Sequence, residues 1–355
     1  MKVALGMRLQ EGPFGGGNQF GKALSSYLQE NGINVVFELK DKDIDIIVLA
    51  DPRTYMSSVS FGAAEIASYI KDVHNDAIVV HRINECDERK GTKLVNKQLS
   101  LANSIADHTV YIGSWLPGLF RNHGYRFSSG FSVIKNGADP RVFAFQKKAL
   151  PEKGKVKIVT HHWSPNKMKG WDVYLKLDEM LKEEQYSSRF EFHYIGQVPQ
   201  DIQTNNIIFH DACSGKTLAD DLEKYHIYLT GSMNEPAGMH HIEGALCGLP
   251  LLYRNSGALP EYCNGYGIAF DGPEDLGDAL DEIIENYDYY SNEMSQYNNT
   301  SEKMCSEYLQ LFERLLAQKD KIIASRNKKN FNLLHIARLK VLFFCLRVIN
   351  RLGIH

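Results

Sequence analysis

The chain has 355 residues, of which 43% are hydrophobic, and it carries a formal net charge of -3 at pH 7. This length and apolar content can form a sizeable buried core and favour two domains. The small negative charge gives no global electrostatic reason to expect nucleic acid as a partner. Six cysteines are scattered without a CxxC pair, which is typical of reduced residues in a cytosolic protein. The N-terminal run MKVALGMRL is too short for a signal peptide or a membrane span, so we expect no export by that route.

Apolar runs of strand length alternate with helical patterns in the first part of the chain. This alternation predicts an α/β domain with a parallel sheet. The predicted strands are 2–7, 33–38, 44–49, 77–81, 108–112 and 131–134, and two of the predicted helices are 18–30 and 93–105.

A glycine cluster, EGPFGGGNQF, follows the first predicted strand and opens a helix. Dinucleotide-binding folds cradle pyrophosphate at this position, but their fingerprint is not met, because Phe20 stands where the third glycine should fall. The run 15–17 still provides backbone amides that can approach a phosphate closely. A flexible loop that binds no ligand is the alternative.

The charged stretch 146–157, which contains Pro151 and Gly154, is typical of a linker. We therefore predict a first domain over 1–145 and a second over 146–325. The second predicted series of strands is 157–161, 190–195, 207–210, 227–230, 249–253 and 268–270. Together the two series predict two doubly wound, Rossmann-like domains that face each other across a cleft.

The segment NEPAGMHHIEGALCGLPLLY sets Glu235 and Glu243 around a loop-to-helix junction, with seven residues between them. Pro236 and Gly238 suit a first helical turn, and Gly248 closes the helix before an apolar strand. Two carboxylates and free backbone N–H groups beside a strand end would fit a polyhydroxylated, phosphate-bearing ligand. An ordinary amphipathic helix with two solvated acids is the alternative.

This segment resembles the acidic motif of retaining GT-B glycosyltransferases of the family 4 type (glycosyl transferases group 1), which use nucleotide-sugar donors. The resemblance covers roughly residues 1–320, and the acidic segment is its most specific part. It implies that Glu235 contacts hydroxyls of the donor sugar and that Glu243 binds the ribose. It also implies a donor phosphate near the glycine-rich loop. The predicted donor-binding residues here are Gly16, Gly17, Asn18, Gly238, Met239, His240 and Glu243.

The loop VTHHWSPNKMKG resembles the family segment in which an Arg and a Lys neutralise the donor diphosphate. Lys169, just before Gly170, matches the Lys, and Lys167 is the alternative. The Arg is missing, and His162 or His161 occupies its approximate place. A neutral His donates one hydrogen bond, whereas a guanidinium offers a fork and a fixed charge. A solvated, Lys-rich loop is the bland interpretation.

Acceptor-side residues of the family follow the fourth strand, which here precedes HRINECDERKG. The candidates for ordering the acceptor hydroxyl are His81, Asn84, Glu85 and Asp87. We predict Asp87 as a base, with ordinary loop residues as the alternative.

No metal site is predicted. The pairs His161–His162 and His240–His241 are adjacent in sequence, so on a helix their side chains diverge by about 100° instead of converging on one ion. Asp43-x-Asp45 borders a buried strand and is better explained as a solvated strand entrance.

The tail 326–355 is basic and strongly apolar. On a helix Lys340, Arg347 and Arg351 share a face, and charge interrupts the apolar run too often for a transmembrane span. Such a helix favours an anionic membrane surface. Packing on the N-terminal domain is the equal alternative.

The sequence therefore predicts a metal-independent glycosyltransferase without a cofactor, which moves a hexose from a nucleotide sugar to a glycan or lipid-linked acceptor. Lys169 and helix amides would stabilise the departing diphosphate, and Glu235 would position the sugar. Retention is implied by the resemblance alone. We expect it in the cytoplasm, either free or peripheral on the inner face of the membrane. A non-catalytic nucleotide- or glycan-binding protein and a sugar-nucleotide epimerase or phosphorylase are the alternatives, and the broken glycine fingerprint disfavours an NAD oxidoreductase.

Overall fold

The structure, a computed structural model, describes residues 1–12, 15–125 and 130–351. The chain divides into two compact units. The first comprises Met1–Gln10, Gly17–Lys135 and Glu302–His355, and the second comprises Glu11–Gly16 and Asn136–Ser301. Each unit contains one parallel six-stranded sheet with helices, as the alternating pattern predicts. Every predicted strand is present, with ends displaced by no more than two residues.

The first sheet has the strand order β2-β1-β3-β4-β5-β6. All of its strands pair in parallel. The central strand Ile46–Leu49 is buried along its whole length, because helices cover both faces of a parallel sheet. The strands of the first sheet are β1 (Lys2–Leu5), β2 (Asn34–Val36), β3 (Ile46–Leu49), β4 (Ile78–Ile83), β5 (His108–Tyr111) and β6 (Gly130–Val133). The helices between β1 and β6 are α1 (Gly16–Glu30), α2 (Ala63–Asp72), α3 (Asp87–Lys90), α4 (Val95–Asn103) and α5 (Leu116–Asn122).

The second sheet has the order β12-β11-β10-β7-β8-β9, again entirely parallel. Trp171 and Tyr174 anchor its core. Its strands are β7 (Val156–His162), β8 (Phe190–Gly196), β9 (Ile207–His210), β10 (Ile227–Thr230), β11 (Leu251–Arg254) and β12 (Gly267–Phe270). Its helices are α6 (Trp171–Met180), α7 (Glu184–Ser187), α8 (Gly215–Leu222), α9 (Met239–Leu246), α10 (Leu259–Cys263), α11 (Leu276–Glu285) and α12 (Tyr287–Glu293).

The chain then returns to the first unit through α13 (Ser301–Ala317), α14 (Lys319–Ser325) and α15 (Leu333–Arg351). The sequence assigned 302–325 to the second domain, but α13 contributes Tyr308 and Phe312 to a core shared with β1 and α1. The apolar stripe of α13 is buried against the first sheet. The first boundary also falls at Asn136 instead of 146.

The tail packs on the first unit, which is the second of the two roles considered for it. Ile336 and Leu339 of α15 join the core cluster that contains α2. The Arg326 guanidinium pairs with Asp107, with 2.6 Å between Nη2 and Oδ2, and both side chains are buried. Within the described part of the chain, no helix is both long and apolar enough to cross a membrane.

Candidate functional site

The predicted acidic segment lies at the carboxyl end of β10 in the second unit. The strand ends at Thr230, and α9 begins at Met239 after an extended Gly238. Glu235 lies on the connecting loop and Glu243 lies just over one turn inside α9, the positions that the sequence predicts. Both are almost fully buried, with 5% and 3% of their surface exposed. Neither is therefore a solvated acid on an exposed helix face.

Glu235 is paired with Lys169. The Lys169 Nζ lies 3.2 Å from Glu235 Oε2, and only 16% and 6% of these side chains are exposed. Gly170, which follows the lysine, has a φ of 104° and lies so close to the backbone of Gly231 that a Cβ would come within 2.5 Å of it. Only glycine fits there, so the close backbone contact fixes where Lys169 stands. The alternative lysine, Lys167, is exposed and pairs with an exposed aspartate.

Glu243 ends a buried chain of hydrogen bonds. Its Oε2 lies 2.7 Å from His161 Nε2, and the other ring nitrogen of His161, Nδ1, lies 3.0 Å from the Tyr228 hydroxyl. The second carboxylate oxygen, Oε1, is buried without a hydrogen-bond partner among the described residues. One oxygen of Glu243 is therefore held by His161, and the other is a buried acceptor without a partner among the described residues.

The remaining histidines are packed beside these groups. His162 Nε2 lies 2.8 Å from the Tyr174 hydroxyl, and His240 Nε2 lies 2.9 Å from Thr230 Oγ1. Burial holds the pKa of His240 well below its ordinary value, and nearby His162 and Lys169 lower it further. Burial also lowers the pKa of His241 to about 3. Both rings are therefore neutral at pH 7, and Lys169 provides the positive charge.

The glycine-rich loop is only partly described, because Pro13 and Phe14 lie outside the described residues. Gly16, grouped with the second unit, approaches α9 so closely that a Cβ would lie 2.7 Å from Met239 Cγ. Gly17 has open space around it. The Asn18 side chain, predicted to bind the donor, holds the loop, because its Oδ1 accepts the Gln10 N–H and its Nδ2 donates to the Gln10 carbonyl, each at 2.8 Å.

Asp87, the predicted base, accepts hydrogen bonds at the start of α4. Its Oδ1 accepts hydrogen bonds from Thr92 Oγ1 at 2.6 Å and Val95 N at 2.9 Å, and its Oδ2 accepts one from Asn96 N at 3.0 Å. These bonds satisfy the first N–H groups of α4. Asp87 therefore caps α4, and its role as a base stays a prediction.

The other acceptor-side candidates separate from one another. His81 lies inside β4, bonded to Asn103, and burial lowers its pKa to about 3. Glu85 pairs with Lys90 at 3.0 Å. Asn84 lines a cavity of about 80 Å³ in the first unit, together with Gly17 and Asn18 and with Arg8, Asp51 and Arg82.

The described residues contain no group of three or more metal-ligating side chains. Asp43 pairs with Lys2 at 2.6 Å, and the Asp45 carboxylate accepts the Lys2 backbone N–H at 2.7 Å. These contacts support the interpretation of a strand entrance.

Two residues of the site have no signal of their own in the sequence. Tyr228 looks like any apolar strand residue, yet its hydroxyl orients His161. Gly257 has a φ of 62°, and a Cβ there would lie 2.5 Å from the backbone N and O of Glu235. Nothing in the local segment NSG indicates the contact with Glu235 that requires the glycine.

Residues 142–304 match the family model of glycosyl transferases group 1. The matched segment covers less than half of the chain. It contains Lys169, Glu235 and Glu243, so the paired side chains described above lie inside it. The gpi3 subunit of phosphatidylinositol N-acetylglucosaminyltransferase from Schizosaccharomyces pombe is 30% identical over 128 residues. That similarity covers 36% of this chain and only 27% of the length of the relative.

Solved structures resemble nearly the whole chain. Sucrose-phosphate synthase from Thermosynechococcus elongatus aligns with a TM-score of 0.64 at 12% identity, covering 89% of this chain and 99% of that one. Anabaena HepE in complex with UDP aligns with a TM-score of 0.65 at 13% identity, covering 88% and 100%. A glycosyltransferase from Rickettsia africae reaches 0.60 at 15% identity, covering 89% and 97%. These structural alignments establish the fold alone, and they confirm the predicted α/β, two-domain GT-B fold.

Proposed function

We propose that the protein is a glycosyltransferase that moves a hexose from a nucleotide-sugar donor to a glycan or lipid-linked acceptor. The observation that carries this proposal is the buried Lys169–Glu235 pair, which lies with the unpartnered oxygen of Glu243 in the segment that matches glycosyl transferases group 1. HepE, which has the same fold, has been solved with UDP and with UDP-glucose. These neighbours support a nucleotide sugar as the donor.

In this proposal the Lys169 ammonium exchanges partners when the donor binds. A diphosphate carries more negative charge than one carboxylate, so it competes with Glu235 for Nζ. The released Glu235 oxygen can then accept hydrogen bonds from hydroxyls of the donor sugar. N–H groups in the first turn of α9 have no partner within the helix and add stabilisation of the departing diphosphate. Lys169 and these N–H groups stabilise the negative charge of the diphosphate, which a metal ion would otherwise neutralise. We therefore propose that no metal or cofactor is required.

Transfer breaks the bond between the anomeric carbon and the diphosphate oxygen, and the acceptor oxygen forms the new bond. The acceptor hydroxyl must lose a proton, and the capping bonds of Asp87 leave it poorly placed to take one. We assign that proton to the departing diphosphate, on which negative charge develops. Attack and departure then occur on the same face of the sugar, which gives retention. The cysteines of the chain are free thiols, which suits work in the cytoplasm or on the inner face of the membrane.

The donor is identified first by thermal stabilisation with a panel of nucleotide sugars, and transfer is then assayed with the stabilising donor. Glu235→Gln should keep the fold and lose transfer.

Lys169→Ala should weaken binding of the cognate nucleoside diphosphate about tenfold or more, while Lys167→Ala, an exposed matched control, should have little effect.

The other outcomes separate the rival functions. Near-normal transfer by a folded Glu235→Gln variant would reject the role of this residue. Stabilisation without turnover would indicate a non-catalytic binding protein. Turnover of the donor without any acceptor would indicate an epimerase or phosphorylase.

A further inference from the structure

The helix α15 is apolar on two opposite faces. One face packs on the first unit through Ile336, Leu339 and Leu346, which are at most 5% exposed. The other presents Leu334, Val341, Phe344 and Val348 to solvent, with exposures of 80%, 60%, 65% and 37%. A helix that is apolar all round is normally buried all round. The packing described above accounts for only one of these faces.

Helix α13 shows what an ordinary surface helix of the first unit looks like. Its exposed positions include Glu302, Glu313 and Arg314, and it has no large hydrophobic residue among those exposed. The exposed apolar face of α15 is therefore a specific feature of that helix.

Cations border the exposed face of α15. With about 100° per residue, Lys340 and Arg347 fall on one border and Arg338 falls on the other, with the apolar positions between them. The helix contains no Asp or Glu. Within the described residues, none of these three cations forms an ion pair. An apolar centre with cationic borders matches the interface of an anionic bilayer, where acyl chains lie below the phosphates.

A cavity of about 160 Å³ opens at the first of these borders. Lys340, Arg347, Phe343 and Phe344 of α15 line one side of it, and the lining also includes Tyr55. The lining contains one acid, Glu65, whose Oε2 accepts the N–H of Gly62 at 3.0 Å. Its single negative charge is smaller than the combined charge of the two cations. The cavity therefore offers two unpaired cations next to aromatic surface.

We propose that this cavity binds the phosphate headgroup of an anionic phospholipid, and that the exposed face of α15 lies among the acyl chains of the same leaflet. This surface deepens the proposed peripheral placement, and it does not depend on the transfer reaction. A second copy of the chain is the competing occupant. Two copies packed through this face would bring the cationic borders together without any acid on α15 to compensate them, so a lipid fits the charge better.

The test is sedimentation of the full-length protein with vesicles of phosphatidylcholine, with and without phosphatidylglycerol. Wild type should sediment with the anionic vesicles, and high salt should weaken this binding. Lys340→Glu with Arg347→Glu should weaken binding about tenfold or more, since each basic residue adds to attraction at an anionic surface. Lys153→Glu with Lys155→Glu is the matched control, because it makes the same change of net charge at exposed lysines of the second unit.

Phe344→Ser with Val348→Ser should also reduce binding, and it keeps the proposal testable if the charge variant does not fold. Circular dichroism and the melting temperature report folding of each variant. Wild type that does not bind anionic vesicles would overturn the proposal, as would equal losses in the two charge variants. A different result would show that a second copy covers this face. In that case wild type forms a dimer and does not bind vesicles, and the double variant Phe344→Ser with Val348→Ser is a monomer.

Discussion

The imidazole of His161 holds one oxygen of Glu243, and the other oxygen has no partner among the described residues. His161 Nε2 occupies Oε2, and the Tyr228 hydroxyl on Nδ1 keeps the ring in place. Ring and carboxylate are both buried, so the geometry is held away from competing water. If Glu243 binds the donor ribose, His161 acts through it as a positioning residue.

Replacing His161 by Phe should therefore reduce discrimination between ribose and deoxyribose. Calorimetric titration gives the ratio of affinities for a nucleoside diphosphate and its 2′-deoxy analogue. This ratio should fall about tenfold, which corresponds to the free energy of one hydrogen bond to a charged group. Tyr228→Phe should lower it less. Thr230→Val, which removes a buried hydroxyl bonded to His240 instead, is the control and should preserve the ratio. A ratio unchanged in His161→Phe would contradict the positioning role.

His241 makes stability depend on pH. Its pKa in the folded protein, about 3, lies below the ordinary value of 6.5, and burial is the main cause. As pH falls below 6.5 the unfolded chain binds a proton that the folded protein does not, so stability falls until pH reaches the folded pKa. His241→Leu should lessen this slope by up to about 1.4 kcal/mol per pH unit.

The same variant should cost little at pH 7, because both ring nitrogens of His241 are buried without hydrogen-bond partners among the described residues. Urea unfolding at several pH values, followed by tryptophan fluorescence, measures both effects. His74→Gln, at a half-buried histidine of the first unit, is the control. Parallel pH profiles for wild type and His241→Leu would show that this histidine is not the source.

At the scale of elements, the strands and the loop-to-helix junction could be predicted because their signals are local. Alternating apolar runs located the strands, and the spacing of Glu235 and Glu243 located the junction. The role of Asp87 could not be predicted, because the α4 amides that it caps lie eight and nine residues further along the chain. The bonds from Asn18 to Gln10 could not be predicted for the same reason, since only the folded loop brings the two residues together.

The loop after β11 sets the position of Glu235 through Gly257. Gly257→Ala should place a Cβ within 2.5 Å of the Glu235 backbone, in a left-handed conformation that already disfavours alanine. We expect a loss of about 1–3 kcal/mol in the free energy of unfolding and at least a tenfold loss of donor affinity.

Gly265→Ala is the control that separates backbone strain at a positive φ from displacement of Glu235. Gly265 has a φ of 87° in the same unit, but its Cβ would have open space. It should lose about 1 kcal/mol of stability with unchanged donor affinity. Chemical denaturation and nucleotide titration of both variants decide the point, and equal affinities would mean that the loop yields without moving Glu235.

At the scale of the whole molecule, the two units are connected differently along the chain. All six strands of the second sheet lie within 136–301, together with the core cluster around Trp171. The first unit is split, because its cores include side chains that arrive only after residue 301. These are Met304, Cys305, Tyr308, Leu311, Phe312, Leu315, Phe331, Ile336 and Leu339. The tail could not be assigned from sequence, since both of its faces are apolar and either could have been the buried one.

The two units should therefore differ when expressed as fragments. A fragment of residues 136–301 should fold alone and unfold cooperatively in urea, because its core is complete. A fragment of residues 1–135 should not, because losing a single large buried side chain costs about 2–5 kcal/mol and this fragment lacks several. Its buried Asp107 would also lose Arg326, and an uncompensated buried charge costs about 3–5 kcal/mol more. Co-expression with residues 302–355 should restore a folded first unit, detected by circular dichroism and by co-purification. Cooperative unfolding of 1–135 alone would show that the core of the first unit is stable without α13 and α15.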